Sequence, residues 1–271
     1  MIKTQNKNST LSTYFSGLTS ITLLSGLMMY SAFTPANADS VEKQSTPLVF
    51  KSSVEQTSLL ELYTSQGCYS CPPAENWLNA LINSDSLWQK VVPMALHVDY
   101  WDYLGWKDPY GEKRNQERHY AYKNQGHTRA IYTPEMILNG ADYTIWRKGE
   151  LPDFNTGNDV GELELSRTEN GIKVFFNSQA KDTKVLRANV ALLGFGIETP
   201  IKAGENAGKI LKHEFVALAQ DSKVAHPVGQ LYLWQFPNIE SEHLRERSAL
   251  IAWLDTDDNN QPIQAVGGWI D

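Results

Sequence analysis

The 271-residue chain has only two cysteines, Cys68 and Cys71, and they lie three positions apart. An apolar run typical of a strand, 59–63, precedes them, and an amphipathic run typical of a helix, 72–83, follows them. At such a junction we expect both sulfurs on the first helical turn, where free backbone N–H groups and the helix dipole favour the thiolate. Because the thiolate is the reactive form of cysteine, the spacing indicates a thiol site.

Residues 1–38 have the pattern of a secretory signal peptide. Two lysines lie in a polar start, the stretch 21–30 is mostly apolar, and 36–38 reads Ala-Asn-Ala, the small-residue pattern of a cleavage site. The apolar stretch is shorter than the about 18–20 residues that a membrane-spanning helix needs. We therefore predict cleavage near Ala38, a periplasmic or secreted protein, and no stable membrane insertion.

Charge and compartment narrow the possible roles. Without residues 1–38 the chain has 22 basic and 31 acidic residues, a net charge of −9, which disfavours nucleic acid and anionic lipid as partners. In an oxidising compartment the two cysteines pair with each other or with another molecule. A disulfide across three residues restricts the unfolded chain little, so a purely structural role explains the spacing poorly.

The first half of the chain alternates strand and helix patterns. The apolar runs 59–63 and 91–98, with the helical run 72–83 between them, predict a βαβ unit with parallel strands. A second helix is predicted over 112–125, and a further strand after Pro134.

From Gly161 onward, short strand patterns separated by turns predominate, which favours an antiparallel sandwich or barrel. The predicted strands are 162–166, 172–176, 185–195, 211–219, 230–236, 249–254 and 265–270. The polar stretch 39–57 is predicted to be a flexible lead-in, and the stretch 151–160 is the predicted domain boundary.

Three long motifs carry a resemblance to a known family. They are ELYTSQGCYSCPPAE at 61–75, HVDYWDYLGWKDP at 97–109 and YTP at 132–134, and GENAGK at 204–209 extends the match more weakly. The chain resembles a family of secreted bacterial proteins that is known only as a domain of unknown function. Members of that family are similar to thioredoxins in their N-terminal half.

The resemblance implies an α/β fold class. It predicts a thioredoxin-like domain over 58–152, with the Cys-x-x-Cys at a helix N-terminus. The strand patterns after it predict an antiparallel all-β, sandwich-like domain over 153–271. The resemblance implies no particular substrate.

In such a fold, Cys68 is the nucleophile that attacks a substrate disulfide, and Cys71 is the thiol that resolves the mixed disulfide. Pro134 is predicted to be a cis-proline that faces the pair, and the backbone of Thr133 is available to an extended substrate. Base rates alone favour a trans proline, since only about 5% of X-Pro bonds are cis.

Glu61 is the candidate general base. A carboxylate buried in the first strand behind the cysteines would accept the proton that Cys71 loses during resolution. The alternative is a carboxylate that is partly exposed or paired with a lysine or arginine.

An aromatic-rich loop after the second strand supplies candidate substrate contacts. The predicted substrate-binding residues are Tyr100, Trp101, Trp106 and Tyr132. Aromatic packing between two domains explains these residues almost as well.

A metal site is an alternative interpretation of the same loop, because His97, Asp99 and Asp102 lie at and just after the end of the second predicted strand. Two cysteines and one histidine are fewer ligands than a closed zinc site has. We therefore predict no metal and no cofactor, with a hydrogen-bonded framework as the role of these residues.

The sequence thus favours an exported thiol–disulfide oxidoreductase that acts on protein or small-molecule thiols and disulfides. Two alternatives remain open at this point. One is a secreted binding module with a structural Cys68–Cys71 disulfide, and the other is a periplasmic protein that binds copper or zinc.

Overall fold

The computed structural model of the chain describes residues 46–182, 184–256 and 258–270. The predicted signal peptide, 1–38, and the first part of the predicted lead-in, 39–45, lie outside the described residues. All described residues belong to one compact unit, Gln44–Asp271.

Two α-helices are described, α1 (Pro72–Asn79) and α2 (Lys113–Asn124), together with three short 3₁₀ turns at Ala80–Asn83, Asp102–Leu104 and Ile145–Lys148. The strands of the first half are β1 (Leu48–Lys51), β2 (Ser58–Thr64), β3 (Val91–His97), β4 (Glu135–Leu138), β5 (Ala141–Asp142), β6 (Gly161–Thr168) and β7 (Gly171–Ser178). Those of the second half are β8 (Leu186–Gly194), β9 (Ile197–Pro200), β10 (Ile210–His213), β11 (Val216–Ala225), β12 (Leu231–Phe236), β13 (Ser248–Thr256) and β14 (Asn259–Trp269).

The main sheet has eight strands in the order β14-β13-β8-β11-β3-β2-β4-β5. Strands β2 and β3 pair in parallel, as do β3 and β11, and the other neighbours pair antiparallel. Every residue of β2 and β3 is buried, as their continuous apolar sequences indicate for strands that are covered on both faces. The two strands with the site motifs at their ends are therefore central in the sheet.

The two helices contact side chains of opposite parity on β2. Thr64 bonds to Glu75 of α1, whereas Glu61 bonds to Arg118 of α2. Because side chains alternate between the faces of a strand, residues three positions apart point to opposite faces. Helix α1 thus contacts one face of β2 and α2 contacts the other.

A second, four-stranded antiparallel sheet, β1-β6-β7-β12, packs on the end of the main sheet that contains β8, β13 and β14. Its alternating strands bury one face, and Val174, Phe176 and Trp234 lie in the shared core with Leu250 and Leu254. Strand β1 lies in the segment predicted as a flexible lead-in, where its apolar residues pair with β6.

The predicted α/β thioredoxin-like fold is wrong. Strands make up 43% of the structure and helices 14%, so the molecule is mostly β. Local patterns placed β2, α1 and β3 correctly, but β11 from the second half pairs directly with β3, through Val216 and Ala95. Strands β8, β13 and β14 then extend the same sheet. A single large sheet therefore includes strands from both sides of the predicted boundary.

Within the residues that the structure describes, we find no helix with the length and apolar character required to cross a lipid bilayer.

Candidate functional site

Cys68 and Cys71 form a disulfide, with their Cα atoms 5.5 Å apart. Cys68 is 4% exposed and Cys71 is fully buried. Both precede α1, which begins at Pro72, and the backbone oxygen of Cys71 accepts the first bonds of the helix. Since proline has no N–H, the Pro72-Pro73 pair fits the first two helical positions, where no intrahelical donor is needed. The expectation that both sulfurs lie on the first helical turn is therefore corrected.

Thr133 lies beside the disulfide. Its hydroxyl donates a 3.3 Å hydrogen bond to Sγ of Cys68 and accepts a 2.6 Å bond from Nε1 of Trp101. The indole N–H can only donate, so this contact orients the threonine hydrogen towards sulfur. The Ser70 hydroxyl is 3.4 Å from the same sulfur. The Thr133-Pro134 peptide is cis, which confirms the predicted isomer.

A segment from the second half of the chain holds the cysteine loop. The buried amide of Asn206 donates to the backbone oxygens of Gln66 and Cys68, at 2.9 and 3.0 Å. Glu205 accepts a 3.1 Å bond from the backbone N–H of Tyr69. The loop is thus fixed by contacts distant in sequence, although GENAGK carried no chemical assignment in the sequence analysis.

The predicted substrate-binding aromatics divide into two groups. Trp101 contacts Thr133 as described, and Nε1 of Trp106 donates to the side-chain oxygen of Gln66. Tyr100 packs against the main core, while the hydroxyl of Tyr132 bonds to Asp142 of β5. The structure therefore brings Trp101 and Trp106 to the disulfide loop, with the Tyr100 ring packed edge to face on Trp101, and gives Tyr132 a contact on β5.

The structure does not bring Glu61 to the cysteines. Its carboxylate is fully buried, lies 2.7 Å from Nε of Arg118 and accepts a bond from the hydroxyl of Tyr122. These partners are on α2, on the face of β2 opposite α1. Glu61 thus takes the alternative role of a carboxylate paired with an arginine, and we do not assign it as the base.

A different carboxylate lies on the α1 side. Glu75 accepts a 2.5 Å bond from the Thr64 hydroxyl, and its second oxygen is 2.8 Å from Nδ1 of His213. Burial favours the neutral acid, but His213, His97 and Thr64 outweigh that effect and hold the pKa of Glu75 below its usual value. The buried carboxylate is therefore in its charged form near neutral pH.

His97 pairs with Asp108, not with Asp99 or Asp102. Its Nδ1 is 2.8 Å from Oδ2 of Asp108, and the same oxygen accepts the backbone N–H of Gln66. Burial disfavours the imidazolium, but the Asp108 carboxylate outweighs this effect and raises the pKa of His97. Burial also disfavours the Asp108 carboxylate, but His97 and two backbone N–H groups outweigh it and lower the pKa of Asp108. Asp102 accepts the backbone N–H of Asp108. Among the described residues, His97 is therefore not grouped with Asp99 and Asp102, the ligands that the competing metal interpretation considered.

Sequence reasoning missed Gln66, Glu75, Asn206 and His213 as members of the site. Three of them lie inside the motifs that carried the family resemblance, at 61–75 and 204–209. His213 lies at the end of β10 and carried no local signal, because its partners come from other segments of the chain.

The family model described as "Protein of unknown function (DUF1223)" matches residues 59–254. No curated protein matches the chain. Among solved structures, protein AGR_C_4864 from Agrobacterium tumefaciens is similar, with a TM-score of 0.54 and 22% identity over 79% of this chain and 94% of that chain. HBP35 of Porphyromonas gingivalis is also similar, with a TM-score of 0.54 and 15% identity over 80% of this chain and 76% of that chain. At these identities the likeness concerns the fold alone.

Proposed function

The chain belongs to the DUF1223 family of proteins of unknown function, and from the surroundings of its disulfide we propose that it is a thiol–disulfide oxidoreductase, with Cys68 as the exchanging cysteine. The observation that carries the proposal is the chain of hydrogen bonds from Trp101 through Thr133 to Sγ of Cys68. A hydroxyl that donates to sulfur stabilises a thiolate there more than a neutral thiol.

The two sulfurs differ in access and surroundings. Cys68 retains 4% exposure and has two hydroxyls within 3.4 Å of its sulfur, whereas Cys71 is fully buried. Exchange proceeds through the accessible sulfur, because the attacking thiolate must approach along the S–S axis. This asymmetry supports Cys68 as the nucleophile and Cys71 as the resolving thiol.

The chemistry balances without a cofactor. A substrate thiolate attacks Sγ of Cys68, the bond to Cys71 breaks, and Cys71 leaves as a thiolate that takes a proton from water. The second substrate thiolate then attacks the substrate sulfur of the mixed disulfide and releases Cys68. One dithiol is oxidised and the protein disulfide is reduced, with two electrons transferred, and the reverse sequence reduces a substrate disulfide.

The signal-peptide pattern over 1–38 supports an exported protein, and the proposed compartment is the periplasm or the exterior. The proposed partners are protein or small-molecule thiols and disulfides. The net charge and the acidic balance of the chain argue against nucleic acid.

A structural disulfide in a binding module is the second candidate function. It is favoured by the low exposure of Cys68 and by the two bonds from Asn206 that fix the cysteine loop. In that case the disulfide stabilises one loop conformation and takes no part in exchange.

Trapping with oxidised glutathione separates the two candidates. We expect Cys71→Ser to form a mixed disulfide with glutathione about ten-fold faster than free glutathione exchanges under the same conditions. The matched variant Cys68→Ser, which leaves only the buried thiol, is expected to remain unmodified in the folded protein. No adduct on folded Cys71→Ser, with free thiol present, would overturn the oxidoreductase and leave the structural disulfide.

A further inference from the structure

Three buried side chains from separate segments bring potential metal ligands together. Glu75 lies on α1, His97 ends β3 and His213 ends β10. One ligand atom from each lies within 4.8 Å of the others, and the residues are 4%, 1% and 2% exposed. The imidazole rings of His97 and His213 meet edge to face, with their centroids 5.1 Å apart.

Two imidazole nitrogens in this cluster are buried without a hydrogen-bond partner. They are Nε2 of His97 and Nδ1 of His213. The Glu75 oxygen lies 2.8 Å from Nδ1 of His213 but outside hydrogen-bond geometry. Unsatisfied buried polar atoms are uncommon in folded proteins, because such an atom loses its hydrogen bonds to water without a replacement. A framework of hydrogen bonds therefore accounts for Nδ1 of His97 and Nε2 of His213. It leaves Nε2 of His97 unexplained, and Nδ1 of His213 has the Glu75 carboxylate beside it.

The outer contacts match those of metal-binding histidines. Nδ1 of His97 faces the Asp108 carboxylate at 2.8 Å, which places the proton on Nδ1 and leaves a lone pair on Nε2. A ligating histidine commonly donates its other N–H to a carboxylate in this way. The Oε1 atom of Glu75 accepts from the Thr64 hydroxyl, while Oε2 is the oxygen beside His213, so the carboxylate is oriented as well.

We propose that Glu75, His97 and His213 form a binding site for one divalent transition metal ion. Two imidazole nitrogens and a carboxylate oxygen are a common ligand set for Zn²⁺ and for Co²⁺, its spectroscopic substitute. Three protein ligands leave a fourth tetrahedral position for water. The site does not depend on the proposed exchange chemistry, because neither cysteine belongs to the ligand set.

Gln66 supplies the remaining contact at His213. Its side-chain nitrogen is 3.0 Å from Nε2 of His213, and its oxygen accepts from Trp106. When Nδ1 of His213 binds a metal, Nε2 carries the proton and needs an acceptor. Rotation of the Gln66 amide by half a turn presents its oxygen to His213, and the Trp106 N–H then loses its bond. Metal binding is therefore compatible with the present side chains.

The first test uses the wild-type protein. It is stripped of metal in denaturant with a chelator, refolded with Co²⁺ and desalted, because a buried site is expected to fill as the chain folds. We expect about one tightly held Co²⁺ per chain. The visible spectrum should indicate tetrahedral coordination, without the near-ultraviolet charge-transfer band of a cobalt–thiolate bond. The refolding is repeated with Zn²⁺ in place of Co²⁺. Retention of neither ion would overturn the site.

Variants then locate the ion. Glu75→Gln, His97→Gln and His213→Gln should each lower retained Co²⁺ at least about ten-fold, since one of three ligands is lost. The matched control is His119→Gln, because His119 is also buried beside a carboxylate, that of Glu135, but lies outside the cluster. It should retain the ion.

The double variant Cys68→Ser, Cys71→Ser should also retain the ion, which separates this site from a thiolate site. Loss of Co²⁺ from that variant would overturn the proposal. Should the ligand variants fail to fold, the wild-type spectrum decides, because a thiolate band contradicts the ligand set and its absence at full occupancy supports it. Trapping by oxidised glutathione reports separately on the oxidoreductase.

Discussion

The side-chain hydroxyl of Thr133 donates a hydrogen bond to Sγ of Cys68 across 3.3 Å, although 65 positions separate the two residues. The contact depends on the arrangement of β2 and β4 as antiparallel neighbours, which brings the start of β4 close to the loop that follows β2. Trp101 holds the same hydroxyl from the other side at 2.6 Å. The environment of the exchanging sulfur is therefore built from three segments of the chain.

Thr133→Val should raise the thiol pKa of Cys68 by about one unit when measured in the Cys71→Ser protein. A hydrogen bond to a charged group is worth about 1.5–3 kcal/mol, and one pKa unit corresponds to about 1.4 kcal/mol. The pH dependence of alkylation by iodoacetamide measures the change.

Two control variants accompany this measurement. Thr133→Ser keeps the hydroxyl and should leave the thiol pKa of Cys68 close to the starting value. Thr128→Val removes a buried hydroxyl that bonds to Ala130 and not to sulfur, so it should have no effect. Equal pKa values in Thr133→Val and the starting protein would show that the hydroxyl does not stabilise the thiolate.

Asn206→Ala should lower the free energy of unfolding by about 2–4 kcal/mol, because two backbone oxygens of the cysteine loop lose their donor in a buried setting. Denaturant titration of the oxidised protein measures it. Asn238→Ala is the matched control, since Asn238 also donates to two backbone oxygens, those of Thr168 and Glu169, but at a more exposed hairpin. A loss at Asn206 no larger than the loss at Asn238 would contradict the anchoring role.

Asp255 should give the protein a stability that falls as pH rises through weakly acidic values. Burial raises its pKa from 3.8 to about 6, against the opposing effects of Arg118 and Arg187. The folded chain then holds the proton to higher pH than the unfolded chain, so raising the pH between these two values favours unfolding. The contribution is about 3 kcal/mol across this window.

The test compares wild type with Asp255→Asn by denaturant titration from pH 4 to pH 7, with a titration at about every half pH unit. The stability of wild type relative to the variant should decline with rising pH. A relative stability that is flat or rises would mean that the two arginines keep Asp255 charged throughout.

Glu61→Gln should leave the thiol chemistry unchanged and destabilise the fold. Its carboxylate pairs with Arg118 on the face of β2 opposite α1, so removing the charge leaves a buried guanidinium with one partner fewer. Breaking a buried pair in this way costs about 3–5 kcal/mol. Denaturant titration measures the cost, and the rate at which Cys71 resolves a mixed disulfide between Cys68 and glutathione serves as the second readout. A slower resolution rate with unchanged stability would restore Glu61 as the base.

The sequence predicted individual elements better than their arrangement. Hydrophobic periodicity located β2, α1 and β3, and the helix-compatible stretch 112–125 contains α2. These signals are local, since they depend on neighbouring residues, whereas the cis Thr133-Pro134 bond was predicted from the thioredoxin-like context that the family resemblance implied. The pairing of β11 with β3 depends on which strand edges meet in the folded chain, and no local pattern records that choice.

The candidate site was predictable to the same extent. The cysteines and Thr133 were predicted from motifs. Which side chains of β2 face α1 depends on their odd or even position along the strand, and that was not predicted. Glu61 and Thr64 are three residues apart and so point to opposite faces, and Glu75 on α1 meets Thr64. The contribution of His213 could not be predicted, because β10 approaches α1 only through long-range contacts.

The reduction potential of the Cys68–Cys71 disulfide tests the central claim most directly. It is measured by equilibrating the protein with glutathione redox buffers and, where these do not reduce it, with dithiothreitol buffers, followed by quantification of free thiols. A disulfide that exchanges with substrates should have a potential between about −120 and −270 mV, the range of thiol–disulfide oxidoreductases. A potential below about −300 mV, typical of structural disulfides, would contradict the account.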